Sequence, residues 1–304
     1  MALIKPPPQR SVLRSAVRGP VKTVVRGTVR AGVRQAQARV PLLAGGRRAR
    51  PPDFIGVGVQ RGGSSWWHRL LEGHPDVSPL GLGAKELHFF DEFWRGDFKV
   101  SDERAYHQLF LRPEGMLGGE WTPRYMFDPW TPPLLRRAAP DARLIVLLRD
   151  PVARFRSGVT HAATHTGRVT SDVINTAIAR GMYSGQLRRL LEHFPSEQIL
   201  VLQFERCRAE PAAMLRVTFE FLGIDPARYP ASIRLTEPRN ASVRAPEQVD
   251  ANLLAGLPEM YFPDICQLLE LTGDAIDPSL WPSFVQRPEG SGPGNRLDGG
   301  VRAG

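Results

Sequence analysis

Three short stretches carry residue types and spacings suited to gripping an anion. The first is Gln60-Arg61-Gly62-Gly63-Ser64-Ser65, the second Lys85-Glu86-Leu87-His88, and the third Arg149 with Ser157. In the first, two glycines are free to take dihedrals closed to other residues. Two serines then open an apolar-periodic segment that begins with Trp66 and stops at Gly73. A helix starting there points unpaired N–H groups and the positive end of its dipole at one spot, where the Ser64 and Ser65 hydroxyls also converge. Such a spot suits a phosphate. Arg149 follows a wholly apolar run, and a guanidinium presented there can meet a phosphate with two parallel hydrogen bonds. Ser157 lies about two helical turns farther on and can add a hydroxyl.

Each stretch has a plainer reading. The loop is not a Walker A motif, because G-x-x-x-x-G-K-[ST] is missing and the basic residue precedes the glycines. A tight strand-to-helix connection with no ligand fits the same letters. Arg149 can be a surface arginine paired with Asp150.

The elements that must position these residues alternate in type. Phe54 to Val59 is a short apolar run that reads as a buried strand, followed by the 60–63 turn and the helix over 66–73. His74 to Val77 turns into a short extended segment, 101–111 reads as helix, and 118–125 as strand and loop. Pro132 to Ala139 is expected to be helical, with Arg136 and Arg137 near its end. Arg143 to Leu148 is the clearest strand, apolar throughout its length after the first residue, as in parallel sheets buried on both faces. Pro151 suits the first turn of a helix running on through 152–161. A long helix over 177–193, a strand over 198–204, a helix over 212–222 closed by Gly223 and a last helix over 262–271 complete the pattern. Alternating strands and helices predict an α/β fold: one P-loop-like domain with a central parallel sheet flanked by helices. Ligands of such sheets sit beyond the carboxyl ends of the strands, where all three polar clusters fall.

Composition sets the limits. The 304 residues are 42% hydrophobic and 23% charged, as in globular proteins, and no run approaches the length of a membrane span. Two cysteines, Cys207 and Cys266, supply neither a disulfide framework nor a metal-ligand cluster; the expectation is a cytoplasmic protein. The net charge of +9 misleads. Twelve of the 40 basic residues lie in 1–50, which hold no acid, so the remaining 28 face 31 acids. The folded part is therefore slightly acidic, and nucleic acid is not an expected partner. From Arg10 to Arg34 a basic residue recurs every fourth position, usually after Val or Leu. Residues 1–52 thus read either as a disordered tail or as a basic helix resting on an anionic inner membrane face. The domain is expected over 53–282, with a Gly/Pro-rich disordered tail over 283–304.

Together these motifs resemble the sulfotransferase family that uses 3′-phosphoadenosine-5′-phosphosulfate (PAPS), in its carbohydrate-modifying branch. Gly58-Val-Gln-Arg-Gly-Gly-Ser-Ser65 is similar to the 5′-phosphosulfate loop. Lys85-Glu-Leu-His-Phe-Phe90 is similar to K-E-x-H-F-F, and Gly119-Glu-Trp-Thr-Pro-Arg-Tyr125 to G-E-x-[ST]-P-x-Y. Leu147 to Arg154 with Ser157 is similar to the 3′-phosphate motif, and Gly181 to Tyr183 and Phe194 to Glu205 follow the later pattern.

The resemblance implies transfer of sulfonate from PAPS to a hydroxyl, less readily an amine, of a carbohydrate or glycosylated acceptor, without a metal. On that scheme the amides of residues 61 to 66 and the two serine hydroxyls hold the 5′-phosphate, while Arg149 and Ser157 hold the 3′-phosphate. Gln60 and Trp66 flank the loop. Glu86 is the general base, His88 orients Glu86 or the acceptor, and Lys85 contacts sulfonate or acceptor anions. The family usually has lysine at Arg61; arginine keeps the charge but is a poor proton donor, so its implied role is electrostatic stabilisation of the leaving phosphate. The family's C-terminal glycine-rich, lysine-bearing loop is not evident, and Arg234, Arg239 or Arg244 is expected to substitute, Arg244 being the choice for the site.

Plainer roles stay open: Glu86 as a salt-bridge acid with Lys85 or Arg124, His88 as a core histidine, Glu120 as a brace for the loop. Rival functions are a P-loop kinase or NTPase, which needs a loop lysine and a Mg²⁺-binding acid, and a non-catalytic membrane-associated scaffold.

Overall fold

The computed structural model describes residues 47–80, 85–236 and 249–285. In chain order the strands are β1 (Arg47–Ala49), β2 (Phe54–Gly58), β3 (Val77–Ser78), β4 (Leu111–Pro113), β5 (Leu117–Trp121), β6 (Arg143–Leu148) and β7 (Ile199–Gln203). The helices are α1 (Ser64–Glu72), α2 (Val100–His107), α3 (Thr131–Ala138), α4 (Pro151–Thr166), α5 (Ser171–Ala179), α6 (Tyr183–Leu191), α7 (Phe204–Ala209), α8 (Pro211–Leu222), α9 (Ala251–Thr272) and α10 (Pro282–Val285). Five strands form one sheet in the order β3-β5-β2-β6-β7, and every neighbouring pair is parallel. This is the expected P-loop-like α/β fold.

The centre of the sheet is apolar on both faces because helices cover both. Alternation along β6 divides the core: Leu144, Val146 and Leu148 join Ile55, Val57, Phe155 and Tyr183 on one face. Ile145 and Leu147 join Trp66, Trp67, Leu71 and Phe219 on the other. Side chains two apart on a strand share a face, so one continuous apolar run serves two cores. β2 lies between β5 and β6, with Phe54 opposite both Gly119 and Arg143.

The folded part starts before residue 53. Arg47–Ala49 pairs antiparallel with Leu111–Pro113. The junction is held by Arg112, a buried guanidinium paired with Asp53 at 2.7 Å that also donates to the Pro51 carbonyl at 2.8 Å. At the other end, Pro282–Val285 is helical. The basic row of 10–34 and the tail beyond 285 lie outside the described residues.

Two helix expectations need correction. The helix expected over 177–193 is two helices, α5 and α6. The Asp264 carboxylate accepts from the Tyr183 and Ser184 amides at 2.6 and 3.2 Å, making a new helix start where periodicity suggested continuity. The helix expected over 262–271 runs from Ala251, through Pro258 and Pro263. Prolines argue against a helix interior, but burial of Leu257, Tyr261, Ile265 and Leu268 holds the turns around them in place.

Gly56 shows how tightly β2 and β5 are fitted. It pairs with Trp121, and a Cβ there would lie 1.9 Å from the indole Cδ2. Trp121 is fully buried and its Nε1 donates to the Gly58 carbonyl at 3.3 Å, so the ring has nowhere to retreat. Overpacking of this kind costs about 1–3 kcal/mol. Gly56→Ala is expected to lose at least that much stability, measured as a lower midpoint in urea denaturation.

Candidate functional site

The site is built at the carboxyl ends of β5, β2 and β6. Parallel pairing brings the tips of β2 and β6 side by side, and the Val59 amide donates to the Leu147 carbonyl at 3.1 Å just before the turn. In the turn, Arg61 and Gly63 take positive φ values of 70° and 94°. Gly62 is needed for space rather than handedness, since a Cβ there would lie 2.7 Å from the Leu147 carbonyl oxygen. At Gly63 both demands apply: the φ is left-handed, and the Phe204 ring sits 2.5 Å from where a Cβ would be.

Arg61 and Arg149 meet at these tips. Arg149 Nη1 donates to the Arg61 carbonyl at 3.2 Å, and Arg61 Nε donates to Ser157 Oγ at 3.1 Å. The Arg149 guanidinium also lies 5.0 Å above the Phe204 ring, the surface that backs Gly63. Asp150 does not pair with Arg149. One of its carboxylate oxygens caps α4 by accepting from the Val152 and Ala153 amides at 2.8 and 3.0 Å, and the other accepts from the Ser283 amide. Burial lowers the Arg61 pKa, and neighbouring Arg149 lowers it further against the pull of Glu86. Two guanidiniums side by side favour an anion between or beside them.

The amides of the turn are not all available. Gly62 donates to the Val59 carbonyl and Trp66 to that of Gly63, at 3.0 Å each. The Gly62 and Trp66 amides are therefore spent inside the turn, while those of Ser64 and Ser65 are the first of α1 and lie at its open start. Trp66 itself is buried, its Nε1 donating to the Leu235 carbonyl at 3.0 Å. Arg234 is exposed, while Arg239 and Arg244 lie outside the described residues.

Across from the turn, Lys85 reaches back to it. Its Nζ is 2.9 Å from Ser64 Oγ, 3.0 Å from Ser65 Oγ and 2.8 Å from Glu86 Oε1. Glu86 Oε2 faces His88 Nε2 at 3.2 Å, and His88 Nδ1 faces Asp91 Oδ2 at 3.1 Å. Arg124 is not a partner of Glu86; it binds Asp128 at 2.6 Å and faces Asp91 at 3.6 Å. Burial alone would raise the Glu86 carboxyl, but the His88 hydrogen bond and the Lys85 ammonium outweigh it and hold the group at about 2. Asp91 first and Glu86 second lift His88 to about 9. With 39% of its side chain exposed and a carboxylate on either side, His88 is not a core histidine. Its φ of 51° is uncommon outside glycine, the kind of local strain that collects at functional sites.

The segment 85–89 is held by 120–125. The Glu120 carboxylate is fully buried, accepting from Tyr106 at 2.8 Å, Thr122 at 2.6 Å, Tyr125 at 3.2 Å and the Leu87 amide at 3.2 Å. Thr122 Oγ1 accepts from the Leu87 and His88 amides, and the Tyr125 hydroxyl from the Phe89 amide. Glu120 is a brace. Among residues the sequence did not single out, Asp91 is the clearest, and its position three after His88 was the available signal. Arg154 and Arg180 are two more. With Gln60, Arg61, His161 and Thr176 they line a cavity of about 310 Å³ beside the turn, and the Nε atoms of both have no hydrogen-bond partner. Among the described residues no His/Cys/Asp/Glu cluster is arranged to hold a metal ion.

A parallel α/β sheet carrying a glycine turn and two arginines at adjacent strand tips defines a P-loop-like protein with a built anion corner. Residues 122–228 match the model of the sulfotransferase family. It is 30% identical over 199 residues to human heparan sulfate glucosamine 3-O-sulfotransferase 6, covering 61% of this chain and 56% of that protein. It is 32% identical over 198 residues to mouse heparan sulfate glucosamine 3-O-sulfotransferase 3A1, covering 60% and 48%. The chain thus spans about half the length of these relatives. A solved sulfotransferase from Alicyclobacillus acidocaldarius shares the fold, with a TM-score of 0.56 at 24% identity over 73% of this chain and 96% of that one.

The His88 geometry has a measurable consequence. Its folded pKa near 9 lies above the ordinary 6.5, so the stability it contributes is complete below 6.5 and lost as the pH rises through 9. The His88 ring proton is expected to titrate near pH 9 by NMR, and the melting temperatures of wild type and His88→Gln should converge above that pH.

Proposed function

We propose that this protein transfers sulfonate from PAPS to a carbohydrate hydroxyl, with an amine as the lesser alternative. The observation that carries the reading is the junction of Arg61, Arg149 and Ser157 at two neighbouring strand tips. It lies next to a helix start that offers amides and hydroxyls, so both phosphate-bearing positions of the nucleotide have donors within one site. The residues fit that donor, because two guanidiniums are gathered and among the described residues neither has a carboxylate within ion-pair distance. PAPS supplies an activated sulfonate when bound.

This chain's own residues then have distinct tasks. The Ser64 and Ser65 amides and hydroxyls hold the 5′ side, and Arg149 with Ser157 holds the 3′-phosphate. Glu86, ionised at any physiological pH, accepts the proton of the acceptor hydroxyl. His88, held between Glu86 and Asp91, fixes the carboxylate's orientation, and the Glu120 brace fixes the backbone that carries both. The names of the relatives, heparan sulfate glucosamine 3-O-sulfotransferases, support a glycan acceptor. A kinase or NTPase is disfavoured, because the turn has no lysine and the acid at the tip of β6, Asp150, is spent on capping α4.

Calorimetric titration is expected to show adenosine 3′,5′-bisphosphate binding in preference to ATP without magnesium; preference for Mg-ATP would reject the assignment. Arg149→Ala should weaken the bisphosphate about 10–100-fold while changing 5′-AMP little, as loss of charge-assisted hydrogen bonds to one phosphate requires. Glu86→Gln should cut transfer of radiolabelled sulfonate to a desulfated heparan polysaccharide by about 10²–10⁴ and spare nucleotide affinity.

A further inference from the structure

The family's usual lysine in the glycine turn is arginine here, and the Arg61 side chain does not stay over its own turn. Its Nε reaches Ser157 Oγ at 3.1 Å, on α4, in the corner where Arg149 also lies. The place over Ser64 and Ser65 is filled instead by Lys85, from the opposite side of the cleft. Resting on the PAPS reading above, we propose that Lys85 is the cation that holds the donor's 5′-phosphate and that Arg61 serves the 3′-phosphate corner with Arg149 and Ser157.

The hydrogen-bond inventory favours this division. An ammonium has three N–H donors and no acceptor. Lys85 directs them at Ser64 Oγ, Ser65 Oγ and Glu86 Oε1, at 2.9, 3.0 and 2.8 Å. Each serine hydroxyl, by accepting from Lys85, keeps its own proton to donate outward. A phosphate oxygen at the start of α1 would meet two polarised hydroxyls, the first helix amides and the ammonium behind them. The stem of Lys85 is held in place, since only 17% of its side chain is exposed and its carbonyl accepts from the Trp121 amide at 3.0 Å. Burial lowers the Lys85 pKa, Glu86 opposes that, and Arg61 lowers it again, so an arriving anion would stabilise the charge. The compact ammonium fits a narrow place between two hydroxyls and a carboxylate, whereas the planar guanidinium of Arg61 has room at the outer corner.

Three nucleotides separate the two corners by calorimetric titration of the full chain: adenosine 3′,5′-bisphosphate, 5′-AMP and 3′-AMP. Lys85→Met is expected to weaken the bisphosphate and 5′-AMP by about 10–100-fold and leave 3′-AMP within about threefold. Arg61→Gln should do the reverse, weakening the bisphosphate and 3′-AMP while sparing 5′-AMP. Lys85→Arg, which keeps the charge and the pairing with Glu86, tests the site should the methionine variant fail to fold; it should retain 5′-AMP binding within about tenfold and leave 3′-AMP unchanged. Unchanged 5′-AMP affinity in Lys85→Met, equal loss of all three nucleotides in a Lys85 variant, or loss of 5′-AMP in Arg61→Gln would overturn the division. If the wild type binds the bisphosphate but the variants show one of those patterns, only this inference fails. If the wild type does not bind the bisphosphate, the PAPS reading fails with it.

Discussion

The parallel pairing of β2 with β6 is the constraint on which the site depends. Parallel strands send their carboxyl ends to the same edge, so the turn after Gly58 and the arginine after Leu148 emerge as neighbours. The Val59 amide bonded to the Leu147 carbonyl carries that pairing to the last residue before the turn. The turn itself has little room: Gly62 lies against the Leu147 carbonyl and Gly63 against Phe204, and Arg149 stacks on the same ring. Side chains at either glycine would push the two tips apart and separate Arg61 from Arg149.

A second constraint works at right angles to the first. The segment 85–89 is too short and too polar to pack as a strand, yet it must place Lys85, Glu86 and His88 within a few ångströms of one another. Glu120 and its neighbours accomplish this by taking up the backbone amides of Leu87, His88 and Phe89 through a buried carboxylate and two hydroxyls. Burial pushes the Glu120 carboxyl up to about 7, against the hydrogen bonds that lower it. A buried carboxylate is costly unless fully hydrogen-bonded. Here the cost secures the orientation of a second carboxylate, Glu86, that faces the cleft.

The two carboxylates therefore have opposite environments. Glu86 has a lysine and a histidine beside it and is held ionised, while Glu120 has only neutral donors and sits far closer to its protonation point. The difference separates an ionised carboxylate that faces the cleft from one that organises the chain behind it. The cations divide in a parallel way: Arg61 and Arg149 share one corner, and Lys85 stands at the other, between the turn and Glu86.

The sequence by itself determined the sheet, the glycine turn at the tip of its central strand and the residue types gathered around it. These are local properties: an apolar run is buried on both faces wherever it lies, and glycines before a run of helical periodicity make a turn in any context. Residues 54–58 and 143–148 could be placed because the strand signal is continuous there. Only the tertiary structure decided which side chains meet. Whether Arg149 turns to Asp150 or to Arg61 depends on Asp150 being taken by the start of α4 and by Ser283, 133 residues away. That Lys85 rather than Arg61 lies over the serines depends on β3, β5 and β2 aligning. The break between α5 and α6 depends on Asp264 from a distant helix, and α9 runs through two prolines because its buried face outweighs their local preference. Each of these outcomes sets a local tendency against a long-range contact, and such contacts leave no periodicity in the chain from which they could be read.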